Sequence, residues 1–402
     1  MTAIICKRSG LDVLLLDGQE RIGAKILMSG GTRCNVTNLT VTENDYESEA
    51  KRTVRHILKA FPSTRAVEFF EDLGIKMVLE EDGKFFPSTH SGKTILEGLV
   101  REVGRIGVRL ETVQKVTAVK LDRNQFLICG RGFSYRAGTI VLCTGGLSYP
   151  STGSDGVGYQ IAEFFGHRLI STSPALTPLE TDDADWKSLM GVSLPVGLTL
   201  WVDGKKEAFY EGPFLFTHFG FSGPAVLNIS RHWIRQRKAH SVKLEANFLP
   251  FEKEDYLLNT LMHEIEKNPA RLVKRFLSAK LPERFVETLL KKAGIPDSLI
   301  LNQLKREARE TLVRSLFHFP LSVTRALGYL KAEVTAGGVD LRELNSRTLE
   351  SKIQPGLFFA GEILDSDGRI GGFNFQWAWS SAVVAGHGVV KRVHETAKKE
   401  EA

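Results

Sequence analysis

A chain of 402 residues exceeds one ordinary hydrophobic core, so two or three domains are expected. Its 42% hydrophobic and 25% charged residues are those of a globular protein, which excludes a disordered or fibrous chain. The formal charge of +6 is spread along the sequence, apart from the 231–240 and 271–280 neighbourhoods and the tail, so it reads as solvated surface and no nucleic-acid partner is expected. Cys6, Cys34, Cys129 and Cys143 show neither metal spacing nor a disulfide framework, which fits a reducing cytoplasm and no metal site. No apolar run has membrane-spanning length. Met1 to Ser9 is too short for a signal peptide and carries Lys7 and Arg8.

Met1 to Gly10 reads as the second half of a helix. Asp12 to Asp17 follows as a buried parallel strand ending in an acid. In a dinucleotide-binding fold the acid closing the second strand accepts from the ribose hydroxyls, so Asp17 is the candidate for the adenosine ribose. The bland alternative is a solvated strand-end carboxylate. That fold also needs a first strand and a G-x-G-x-x-G turn, which about 15 residues would supply. The sequence starts inside the helix, so this strand and turn are expected to be missing. Gly23 to Asn38 then brings Ser, Gly, Gly, Thr, Arg and Asn into one loop, rich in donors and poor in bulk, suited to a phosphate or a flavin edge. Arg33 is its bidentate phosphate candidate. Cys34, with no base nearby, is expected to be a packed thiol.

Residues 50–61 and 63–73 have helical spacing, with Pro62-Ser63 as break and cap. Lys76 to Phe86 reads as a hairpin around Glu81-Asp82-Gly83, and 91–107 as a helix. Strands follow over 108–119, where the Val116 backbone is a candidate to line adenine. Residues 124–135 read as a hairpin. Thr139 to Gly146 is a buried strand running into Thr144-Gly145-Gly146, a second point of close approach. Gly156 to Gly166 is a helix with Asp155 near its cap. From Pro174 the character changes to short strands around an Asp203-Gly204 turn, a helix over 225–235 and a strand over 242–248. Apolar residues at 257, 258, 261, 265 and onward, with Pro269, Pro282 and Pro296 at first-turn positions, make 251–317 helical. Leu321 to Val334 returns to strand character. Leu357 to Ala360 is a short buried strand, followed by Glu362, Asp365 and a glycine-rich loop. A closely packed helix over 378–390 comes last. Glycines here let backbone approach a ligand, and the N–H groups of Gly372 to Phe375 face negative charge at the helix start.

The loops GGTRCNVTN (30–38), CTGGLSYPSTGSDG (143–156), FTHFGFSGPA (216–225), AEVTAGGVDL (332–341) and GEILDSDGRIGGFNFQWAWSS (361–381) together resemble the BaiN/YhiN-like family of bacterial flavoproteins, also called aminoacetone oxidase family FAD-binding enzymes. The resemblance runs over nearly the whole chain. It implies an α/β fold: a Rossmann-like FAD-binding domain in two segments (1–178 and 333–402), an inserted β-barrel (179–250 and 319–332) and an inserted helical domain (251–318). It implies non-covalent FAD. Asp17, usually Glu in the family, matches the second-strand acid. Arg33 and Asn35 match the Gly-Gly-Gly-Arg-Cys-Asn loop, in which Thr32 replaces the third glycine. Thr144, Gly145 and Gly146 match the glycine strand end. Gly361, Glu362, Asp365, Gly372, Phe373, Asn374 and Phe375 fall in the closing flavin loop. The family's glycine-rich start has no counterpart in this sequence.

The expected chemistry is two-electron hydride transfer through flavin N5. The substrate is expected to be a small amine or enone, and the partner oxygen or NAD(P)H. His218 is the one motif-borne acid–base candidate, with a structural histidine as its alternative. Phe216 to Phe221 is expected to wall the substrate pocket, and Tyr149 to pack. Two rival readings stand beside this one: a flavoprotein remnant that binds FAD weakly for want of its first turn, and a nucleic-acid-associated protein using the basic helical segment.

Overall fold

Short apolar runs form most of the parallel strands, Arg109–Glu111 being the charged exception. In the computed structural model, which describes residues 1–80 and 82–400, Leu14–Leu16 runs parallel to Arg109–Glu111, and Ile140–Leu142 parallel to Leu357–Phe359. Leu357, Phe358 and Phe359 are fully buried, as a strand covered on both faces must be. The chain divides into two compact units: residues 1–174 with the segment from Glu333, and Ala175–Ala332.

In the first unit the helix Phe373–Glu400 is the central support. It begins within the expected helix start, Gly372 to Phe375, ahead of the closely packed stretch 378–390. Gly371 and Gly372 take φ of 127° and 91°, and Phe373 and Trp377, one turn apart, are both buried beside Tyr46. Packing of these rings sets the start where the glycines read as loop. Small residues further along let neighbours come close: a Cβ on Gly386 would lie 3.0 Å from Ile5, and one on Gly388 2.5 Å from the Thr348 carbonyl. The helix Thr2–Arg8 is tied to this face by Thr2 Oγ1 donating to the Ala382 carbonyl at 2.9 Å. Helices Lys51–Ala60 and Ser63–Asp72 flank Pro62 as expected. The strands Met77–Leu79 and Lys84–Pro87 form the first hairpin, although Glu81 of its turn lies outside the described residues. Cys34 is fully buried and its thiol is pushed up to about 12 by burial, the state of a packed, inert cysteine.

The second unit holds a seven-stranded sheet. Its order is Phe319–Leu321, Val242–Asn247, Ser193–Val202, Lys205–Phe216, Gly220–Ser222, Leu179–Glu180 and Arg325–Ala326. The two long strands meet at Asp203-Gly204, both with positive φ (48° and 76°), the turn whose twist suits a tight hairpin. Leu194, Val196, Leu198 and Leu200 alternate inward. Helices Glu254–Lys267, Val273–Leu277, Glu283–Lys292 and Arg306–Phe317 share one core with the sheet, where Trp186 stacks on Phe216 at 5.4 Å and on Phe285 at 6.1 Å. Two expectations change. Leu321 to Val334 is mostly loop, because Gly328 at φ 71° turns the chain after the two-residue strand Arg325–Ala326. Phe216 and Phe221 are fully buried in this core, so their rings do not wall a pocket.

Candidate functional site

The buried strand Leu357–Phe359 delivers Glu362 into a short turn, Gly361–Ile363. There its carboxylate gathers three distant segments. Lys25 Nζ and Ser148 Oγ both donate to it, and the Thr335 N–H donates at 2.9 Å. Lys25 also reaches Ser148 Oγ at 2.6 Å. Thr335 Oγ1 accepts from the N–H groups of Leu147 (2.8 Å) and Ser148 (3.1 Å). Gly146 has to be glycine, since a Cβ would sit 2.4 Å from Thr335 Oγ1. Gly145 takes φ 72° beside Ser154, and Thr144 Oγ1 is buried with no hydrogen-bond partner. Sequence reasoning misses Lys25, Ser148 and Thr335. Each lies inside a conspicuous loop, but no local signal shows which loop it pairs with.

A second group forms at the start of Phe373–Glu400. The hydrogen-bond ladder of the helix opens with the Gln376 N–H donating to the Gly372 carbonyl at 3.0 Å, so the amides of Phe373, Asn374 and Phe375 lie ahead of it. The loop carrying Asn35 is locked against this turn. Thr37 Oγ1 donates to Gln376 Oε1 at 2.6 Å, Asn38 Nδ2 to the Gly371 carbonyl at 3.2 Å, and Trp379 Nε1 to the Val36 carbonyl at 3.0 Å. A Cβ on Gly372 would lie 2.7 Å from Asn35 Oδ1, which is itself buried without a partner. The side chains of this turn are already engaged. Asn374 clamps both backbone groups of Gly368 at 2.8 Å, Tyr46 donates to the Phe373 carbonyl at 2.7 Å, and Phe375 stacks on Trp379. What the turn has to offer a ligand is main-chain N–H.

A third group surrounds Asp17 at the end of Leu14–Leu16. Its Oδ1 accepts from the Gln19 N–H at 2.8 Å, and its carbonyl accepts from the Gln114 N–H at 2.9 Å. Gly18 lies against Lys115, next to Val116, and Lys115 pairs with Asp155 at 2.6 Å. Asp17 and Val116 are thus neighbours.

Other candidates stand apart. Arg33 pairs with Glu80 at 2.6 Å and lies over Phe86 at 4.0 Å, so its guanidinium is engaged within the protein. Asp365 is buried, and its charge acts on Arg342, whose pKa is raised first by Asp340. His218 is exposed in the turn Thr217–Gly220 of the second unit, its ring against Phe219. Gly361 donates to Ser381 Oγ at 2.9 Å and leaves open space on its Cβ side.

The residues present fit a flavin dinucleotide. Unpartnered buried oxygens at Asn35 and Thr144, amides at a helix start, a lysine beside a carboxylate, and glycines open at 31 and 361 supply donors, acceptors and close approach. Among the described residues no helix is long and apolar enough to cross a membrane. Residues 1–388 match the family described as HI0933-like protein Rossmann domain. The chain is similar to a ribosomal RNA dihydrouridine synthase of Escherichia coli, 36% identical over 93% of this chain and 91% of that protein. It is similar to the protein of the same name in Haemophilus influenzae, at 35% over the same shares. It is also similar to a 3-dehydro-bile acid delta(4,6)-reductase of Clostridium scindens, 32% identical over 98% of this chain and 96% of that protein. The chain therefore belongs to the HI0933-like, BaiN/YhiN-type family of Rossmann-fold FAD-dependent oxidoreductases, and it is a flavin-dependent enzyme.

Proposed function

We propose that this enzyme reduces a carbon–carbon double bond conjugated to a carbonyl, with the uracil ring of ribosomal RNA as its substrate class and NAD(P)H as its electron donor. The observation that carries the flavin chemistry is the helix start at Gly372–Phe375, whose amides precede the hydrogen-bond ladder and whose side chains are otherwise engaged. Bound FAD supplies a two-electron carrier, accepting and donating hydride. In this reading the amides of Phe373, Asn374 and Phe375 stabilise negative charge on the ring, a preorganised electrostatic effect. Lys25 and Ser148 hold Glu362 in place, and Asn35 and Thr144 present their buried oxygens to the cofactor. Asp17 and the Val116 backbone receive the adenosine end. Gly145, Gly146 and Gly361 permit close approach. Arg33 reaches a phosphate only by leaving Glu80.

Two relatives carry the name ribosomal RNA dihydrouridine synthase, and a third the name of a bile-acid delta(4,6)-reductase. Uracil and a steroid dienone share a double bond conjugated to a carbonyl, which is why the reaction type is common to both. The bile-acid relative favours a second reading, a free steroid-like enone as substrate. No observation favours an amine substrate with oxygen.

The experiment takes purified protein under anaerobic conditions and asks first whether it carries flavin absorbance and whether NADH or NADPH bleaches it. Uridine-containing RNA and a steroid dienone are then offered separately, and mass spectrometry reads the gain of two hydrogens. We expect bleaching and a gain in RNA. A protein that binds no FAD, or that adds hydrogen to neither substrate, overturns the proposal.

A further inference from the structure

The charge of the chain is unevenly divided. Residues 175–332 hold 23 Lys/Arg against 18 Asp/Glu, so +5 of the formal +6 sits in the second unit. Much of that excess gathers at one end of the seven-stranded sheet. The hairpin tip Asp203–Lys206 is zipped to the segment after helix Pro224–Gln236: the Asp203 N–H donates to the Ser241 carbonyl, and the Ser241 N–H to Asp203 Oδ1, both at 2.9 Å. This joins the exposed Lys205 and Lys206 to the exposed Arg237, Lys238 and His240.

Strand register extends the cluster across the sheet. Trp201 lies opposite Lys206 on one side and Lys243 on the other. Phe209, opposite Thr199, shares their outward face and is 46% exposed. A Cβ added at Gly197 would be 3.3 Å from its ring, and Lys206 Nζ is 4.6 Å from its centroid. The acids of this face are Glu245, Glu207 and Glu211. Glu245 is paired with Lys243 and His318, and Glu207 accepts from Gln236 at 3.3 Å. Glu211 is exposed and lies opposite Gly197, further from the tip.

We infer that this end of the sheet is a binding surface for single-stranded RNA, with Lys205, Lys206, Arg237 and Lys238 tracking phosphates and Phe209 taking a base on its ring. An exposed aromatic on a strand face, with Lys206 beside it and further cations at the same end of the sheet, is an arrangement that can stack a base and neutralise a backbone. The inference rests on RNA being the substrate in the proposed function and adds where the enzyme grips it.

The test measures anisotropy of a labelled, short, uridine-rich single-stranded RNA titrated with the full chain over a range of salt. Lys206→Glu with Lys238→Glu should weaken binding at least tenfold, and the slope of log affinity on log salt should fall by about 0.7 for each phosphate no longer neutralised. Phe209→Ala should weaken binding roughly tenfold with the salt slope unchanged. Lys59→Glu with Lys120→Glu, exposed lysines of the first unit, makes the same change in net charge and should leave affinity near wild type. Flavin absorbance and thermal melting confirm that each variant is folded. Absence of salt-dependent RNA binding by the wild type, or equal losses in the tip and control pairs, overturns the inference, as does a Phe209→Ala variant that binds like wild type. The two readings fail separately. RNA binding without gain of two hydrogens leaves the surface standing and removes the uracil reaction, whereas reduction of free uridine without RNA binding does the reverse, and reduction of a dienone alone removes both.

Discussion

Thr32 holds a φ of 72° although it carries a branched side chain. For an L-residue this region costs roughly 1–2 kcal/mol. Glycine removes that strain but is freer in the unfolded chain by roughly 0.5–1 kcal/mol. Thr32→Gly should therefore stabilise the protein by about 0.5–1 kcal/mol, read as a higher urea midpoint with an unchanged slope; a lower midpoint would show that the Thr32 side chain makes an interaction worth more than its strain. Lys25 raises a different question, because its partner Glu362 is mostly buried and also serves Ser148 and Thr335. Lys25→Met leaves that carboxylate without its cation. FAD retention, followed by flavin fluorescence, should weaken on the order of tenfold, about 1.4 kcal/mol. Glu362→Gln in the same protein should restore part of the loss, and strict additivity of the two changes would mean that Lys25 acts on FAD without Glu362. Both residues sit in loops that the sequence makes conspicuous. The strain at Thr32 is legible as a threonine where the resemblance implies glycine, but the Lys25–Glu362 pair joins residues 337 apart in the chain, and no pattern within a loop encodes its partner across such a distance.

Among the elements, helices were the most legible, because periodic apolar spacing is a local signal; the prolines were a poorer guide, since Pro282 caps Glu283–Lys292 from outside while Pro269 and Pro296 lie in loops. Helix ends were less legible: the closely packed stretch read over 378–390 belongs to a helix that runs from Phe373 to Glu400. Two helical glycines separate propensity from packing. A Cβ added to Gly104, in helix Gly92–Arg105, would have no neighbour within 4 Å, so Gly104→Ala should stabilise by roughly 0.5–1 kcal/mol. A Cβ on Gly388 would meet the Thr348 carbonyl at 2.5 Å and the Phe358 ring at 2.9 Å, so Gly388→Ala should destabilise by roughly 1–3 kcal/mol despite the better helix former. Thermal melts of both variants decide it, and shifts of the same sign would refute the packing account. The packing of helix Thr2–Arg8 on Gly92–Arg105 is electrostatic as well. Glu102 is buried between Arg8 and Arg105, and their hydrogen bonds, Arg105 first, hold its carboxyl down from 4.5 to about 2 against the opposing effect of burial. A depressed folded-state pKa gives stability that is complete above the unfolded value and is lost as pH falls through the folded one. The wild type should therefore lose stability from pH 4.5 towards pH 2, and Glu102→Gln should flatten that part of the curve. Both arginines are well exposed, so the effect is about 1 kcal/mol. Chemical denaturation of both proteins across that range measures it, and parallel curves would assign the acid limb to other carboxylates.

At the scale of the whole molecule, the change of character at Pro174 was visible in sequence because buried parallel runs give way to alternating strands and an Asp-Gly hairpin. The shared core of the second unit was not. Trp186, Phe216, Phe248 and Phe285 come from a short helix, a strand, the bend after strand Val242–Asn247 and helix Glu283–Lys292, and the periodicity of each segment is silent about the others. That common core argues that residues 175–332 fold as one body. Their entry and exit are stitched together: Leu179 lies opposite Ala326, the Leu327 N–H donates to the Pro178 carbonyl at 3.1 Å, and Thr177 Oγ1 to the Gly328 carbonyl at 3.4 Å. Excision at 175 and 332 therefore cuts outside a closed pair of strands. Expressed alone, this segment should melt in one cooperative transition and bind no FAD. The complementary protein, with residue 174 joined by a short Gly/Ser bridge to Glu333, should keep the Lys25–Glu362 and Asn35–Gly372 groupings and remain yellow. Circular dichroism with near-ultraviolet detection and flavin absorbance read the two outcomes. A segment 175–332 that shows helix but no sharp melt would mean that its rings need the rest of the chain to order them, and a colourless complementary protein would mean that the FAD groups of the first unit are held in place by the second.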